Sequence, residues 1–93
     1  MKTVSHLING QAVASAAAFE TLNPATQEVL AEVAAGGEAE VNAAVAAAKA
    51  AFPRWANTPA PERAKVIRRL GELIAQHVPE IAETETNDCG QVI

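Results

Sequence analysis

The stretch Glu28-Val29-Leu30-Ala31-Glu32-Val33-Ala34-Ala35-Gly36-Gly37-Glu38-Ala39-Glu40-Val41-Asn42-Ala43-Ala44-Val45 changes its hydrophobic period in the middle. Through Val33 it reads as a strand. From Glu38 onward, Val41, Ala44, Val45, Ala48 and Phe52 recur at i, i+3, i+4, i+7 and i+11, the single stripe of an amphipathic helix. Glu38 and Glu40 fall in the first turn, where carboxylates complement the positive end of the helix dipole, and Lys49 lies toward the other end. Gly36-Gly37 separates the two regimes. The chain is therefore expected to divide into β-hairpins over 1–35 and amphipathic helices over 36–93.

Upstream, His6-Leu7-Ile8 runs into Asn9-Gly10, a strong hairpin signal because both central residues of the tight turn need positive φ. Val13 begins the return strand. A second hairpin is predicted from Phe19-Glu20-Thr21-Leu22, the turn chemistry of Asn23-Pro24-Ala25-Thr26, and the strand from Glu28 to Val33. Downstream, Pro53 is expected to stop the first helix, leaving Arg54–Pro59 as a connector whose Trp55 packs between helices. Pro61 suits the first turn of the next helix, since its missing N–H has no intrahelical partner there. Val66, Ile67, Leu70, Leu73, Ile74 and Val78 form that helix's apolar stripe. Pro79 restarts a shorter helix, and Gly90 is its expected left-handed terminator. The apolar Gln91-Val92-Ile93 follows, where a natural terminus is more often polar, so the sequence reads as cut in mid-structure.

Composition says how little core this chain can build alone. Of 93 residues, 22 are alanine, against 19 leucines, isoleucines and valines, two phenylalanines, one tryptophan and no tyrosine. Chains this short bury only about 60–65% of their unfolded surface, so the helices are expected to need a partner surface. The formal charge of −4 argues against nucleic-acid binding, which needs a cationic footprint. One cysteine cannot form an internal disulfide, so a reducing compartment, the cytoplasm, is expected. The first ten residues hold too few consecutive apolar side chains for a signal-peptide core. No run approaches the ~18 apolar residues of a membrane span, so no membrane partner is expected.

The candidate chemical groups each have a plainer reading. Cys89 stands beside Asp88 at a helix C-terminal end, where the dipole disfavours a thiolate, so it reads as a packed, inert thiol rather than a nucleophile. His6 and His77 lack the ligand-spaced neighbours that zinc needs. Gly36-Gly37 before a helix could cradle phosphate, but no glycine-rich motif accompanies it and Glu38 and Glu40 would repel an anion; it reads as a turn. Arg63, Lys65, Arg68 and Arg69 could touch phosphates, yet Glu62 and Glu72 are spaced to pair with them on a solvated helix face. Glu80, Glu83, Glu85 and Asp88 also read as solvated, with Asp88 alone close enough to the end of the helix to turn inward. The residues alone thus lead to two hairpins and amphipathic helices, without an active site.

A resemblance takes the reading further. Ile8-Asn9-Gly10, Asn23-Pro24-Ala25-Thr26-Gln27-Glu28-Val29-Leu30, Val41-Asn42-Ala43-Ala44-Val45-Ala46-Ala47-Ala48-Lys49-Ala50-Ala51-Phe52, Trp55, Glu62-Arg63 with Leu70 and Ile74, and Glu85-Thr86-Asn87-Asp88-Cys89-Gly90 together resemble the N-terminal segment of the aldehyde dehydrogenase superfamily. Within it, Gly36–Glu40, Phe52–Asn57, Arg68–Gly71 and Val78–Ala82 are most similar to a semialdehyde-oxidising branch of bacterial aromatic catabolism. The resemblance implies an α/β fold of which this chain is the opening part of an NAD-binding domain, and an NAD-dependent oxidation of a small aldehyde to its acid by a homo-oligomeric enzyme. It places every catalytic and NAD-binding residue beyond this chain, and Cys89 is not the family nucleophile. For several members it implies a structural alkali cation, held here by backbone oxygens of Thr21 and Leu22 with Asp88; a local capping role for Asp88 is the equal alternative. Gln91-Val92 replaces the family's Lys-Pro after the glycine. A small, non-enzymatic helical interaction module, docking through the Val66–Val78 stripe, is the competing reading.

Overall fold

A computed structural model describes residues 2–92; Ile93, in the apolar tail, lies outside them. Five strands precede three helices: β1 (Lys2–Val4), β2 (His6–Ile8), β3 (Gln11–Val13), β4 (Ala18–Leu22), β5 (Val29–Ala34), α1 (Glu38–Ala56), α2 (Ala60–Gln76) and α3 (Val78–Cys89). The β2–β3 hairpin pairs His6 with Val13 and Ile8 with Gln11. Its turn sets Asn9 at φ 53° and Gly10 at φ 72°, the positive angles that match the right-handed twist of the flanking strands. The β4–β5 hairpin closes on Asn23, whose carbonyl accepts from Gln27 N–H at 2.7 Å while its Oδ1 accepts from Ala25 N–H at 2.9 Å. An asparagine side chain imitating a backbone turn is the reason Asn-Pro initiates this loop.

One pairing is absent from the sequence reading. β1 lies parallel to β5, with Lys2 opposite Ala31 and Val4 opposite Val33, so the three-stranded sheet runs β1-β5-β4. Three residues with no apolar alternation carry no strand signal of their own; β1 exists because β5 offers it an edge. β5 is the central strand, and its Ala31 is the one buried hydrophobic residue among those described, at 8% exposure.

Pro53 corrects the first-helix boundary. α1 continues through it to Ala56, and Arg54–Ala56 belong to the helix rather than to a connector. Proline removes one amide donor and crowds the carbonyl four residues earlier, but its own carbonyl still accepts, here from Asn57 N–H at 3.1 Å. A proline this close to the end costs one bond rather than the helix. Trp55 sits in that last turn and is exposed rather than packed between helices. The other boundaries follow the expected chemistry, with proline in the first turns of α2 and α3 and Gly90 capping α3 at φ 77°.

At the strand-to-helix junction, Gly37 N–H donates to Glu40 Oε2 at 3.0 Å, a capping contact on the head of α1. The Ser15 hydroxyl donates to the Ala35 carbonyl at 2.6 Å and lies 3.2 Å from Glu40 Oε1. Its single hydrogen is shared between the two acceptors. The Glu40 pKa is lowered, by hydrogen bonds from its own amide, from Gly37 N–H and from Ser15, in that order. The junction is thus favoured while Glu40 is ionised and weakens as pH falls through that lowered range.

The helices find few partners. Ile67 is 61% exposed, Phe52 67%, and even Leu73, the most covered of the α2 stripe, 38%. The radius of gyration is 16.8 Å, against roughly 12 Å for a compact chain of this length. The accessible surface of 7364 Å² exceeds by nearly half the roughly 5,100 Å² of a compact monomer of this mass. Hydrophobic burial is the main force opposing chain entropy, and this chain leaves most of it unused. Purified alone, it should therefore melt broadly, without a fixed near-ultraviolet signal from Trp55. A sharp cooperative transition in circular dichroism, coincident in the near and far ultraviolet, would contradict this.

Candidate functional site

The register of the sheet decides which side chains share a face. Lys2 and Thr21 both stand opposite Ala31, and Val4 stands opposite Val33, so these residues point to one side of the sheet. Over that side lie the end of α2 and a full face of α3, presented by Leu73, Ile74, His77, Ile81, Thr84 and Asp88 at helical spacing. Between them is an open groove of about 810 Å³, apolar at its floor and acidic along α3, where Glu80, Glu85 and Asp88 line it.

The groove gathers two of the three cation candidates. Thr21 and Asp88 both line it, although Asp88 is exposed. Leu22, past a register irregularity at Thr21/Leu22, does not. The approach is fixed at the far end, where a Cβ built on Gly90 would come within 3.4 Å of Pro24 Cγ. The left-handed cap of α3 thus lies beside the β4–β5 turn, so residues 67 positions apart in sequence line one groove. Among the described residues no group of three His, Cys, Asp or Glu side chains could hold a metal, so any cation here would depend on backbone oxygens.

The remaining candidates take plain roles. Lys65 pairs with Glu62 and Arg69 with Glu72, each at 3.2 Å across i,i+3 on an exposed face; such pairs contribute about 0.5 kcal/mol or less. His77, capping α2 and α3 at once, sits 3.1 Å from Glu80. His6 lies against Gly36, its Nε2 shielded and without a partner. Gly36-Gly37 does not fit a dinucleotide phosphate, because the Gly37 amide that would bind it already faces the Glu40 carboxylate. Cys89 is free and exposed rather than packed. Its thiol pKa is raised, first by a hydrogen bond to and the charge of Glu85, then by burial and by Asp88.

Residues 12–93 match the Aldehyde dehydrogenase family, and the chain belongs to that family. It is 64% identical over 90 residues, 97% of its length and 19% of the relative's, to 5-carboxymethyl-2-hydroxymuconate semialdehyde dehydrogenase of Escherichia coli. It is 44% identical to malonate-semialdehyde dehydrogenase 2 of Geobacillus thermodenitrificans, covering 98% of this chain and 19% of that one. Among solved structures, a Sinorhizobium meliloti protein described as a methylmalonate-semialdehyde dehydrogenase and complexed with NAD superposes with a TM-score of 0.87 at 37% identity, over 94% of this chain and 18% of that one. The chain therefore spans about one fifth of the length of the relatives it matches, and its α/β architecture is that of their corresponding segment. No helix among the described residues is long and apolar enough to cross a membrane.

The thiol reading has a direct check. Alkylation of Cys89 by iodoacetamide, followed by mass spectrometry across pH, should rise only above the range of an unperturbed thiol. Glu85→Gln should move the profile to lower pH. Coincident profiles for the two proteins would mean that Glu85 does not govern the thiol.

Proposed function

We propose that this chain is the N-terminal part of an NAD-dependent aldehyde dehydrogenase that oxidises 5-carboxymethyl-2-hydroxymuconate semialdehyde to the carboxylate in aromatic catabolism. The observation that carries the reading is 64% identity to the Escherichia coli enzyme over 97% of this chain. NAD supplies the hydride acceptor when bound to the longer enzyme. The residues described here do not fit it, so nucleotide binding and the covalent chemistry belong to chain outside this segment. This segment's part is architectural: it is the first piece of the NAD-binding domain, split as strands over 1–35 and helices over 36–93. The exposed stripes of α1 and α2 are the surfaces on which the remaining four fifths of the polypeptide packs. The whole enzyme is cytoplasmic and a homo-oligomer in this reading. A self-sufficient interaction module is disfavoured, because a unit folding by itself needs more core than Ala31.

The 93-residue chain, incubated with NAD and semialdehydes, should produce no NADH above a protein-free control, whereas the full-length enzyme should turn over. Robust turnover by the short chain would overturn the assignment of catalysis to the missing part.

We further propose a structural alkali cation in the whole enzyme, bound by main-chain oxygens of Thr21 and Leu22 and by Asp88; Thr21 and Asp88 line one groove. Oxygen donors suit a hard cation. Sodium or potassium chloride should then raise the melting temperature of the full-length enzyme more than choline chloride does, and Asp88→Ala should abolish that difference. An equal difference in both proteins would refute the site.

A further inference from the structure

We draw no further inference here: the strongest candidate, the apolar groove between the β1–β5 face of the sheet and helices α2 and α3, belongs to the candidate site already described, and nothing in the structure shows a second occupant.

Discussion

Strand β5 is the support on which the other elements lean, because it alone has a hydrogen-bonded neighbour on each edge and a helix over one face. β1 joins it in parallel, β4 joins it antiparallel, and α3 lies across Ala31 and Val33. Its composition suits that place: Val29-Leu30-Ala31 and Val33-Ala34 form a nearly continuous apolar run, as expected of a strand covered on both edges and at least one face. Small Ala31 at the centre is buried within the sheet and lies on the floor of the groove that α3 borders. α1 is footed instead on β2 and, through Glu40, beside Ser15, and the whole extends 49 × 33 × 16 Å, a flat shape with little interior.

Local chemistry made much of this legible. Asn9-Gly10 could be read because two positive φ angles are demanded within two residues, and Gly36-Gly37 because the hydrophobic period changes across it. Pro61, Pro79 and Gly90 mark helix ends by what they lack, an amide or a Cβ. Features set by distant partners could not be read in the same way. Lys2-Thr3-Val4 becomes a strand only in the presence of β5. Pro53 looked like a stop because its cost is counted in residues before it, while what preserves the helix, its free carbonyl and the Asn57 amide, follows it. Trp55 and Cys89 read as packed in the sequence, and both are exposed, as the α2 stripe is, because nothing among the described residues covers them.

The site shows the same division. Nothing in the period or spacing of the residues joins Thr21 to Asp88; the link came from the family resemblance, and the groove gives it a physical setting. The sheet register turns Thr21 toward the groove, and the helical repeat sets Asp88 along its opposite wall. Leu22 departs because a one-residue step along a strand changes faces. Sequence reasoning weighs His77 only as a zinc ligand and misses its place on the groove wall between α2 and α3; the signal for that place is its position just before Val78-Pro79.

Gly90 answers two demands at once. Its backbone is left-handed, and a Cβ added there would stand 3.4 Å from Pro24 Cγ. A side chain at position 90 would be strained by the positive φ and would touch the Pro24 ring, so the bare glycine serves both the helix cap and the neighbouring turn. The turn begun by Asn23 and the last helix's cap are thus neighbours, the loop of the first third of the chain standing beside the close of α3.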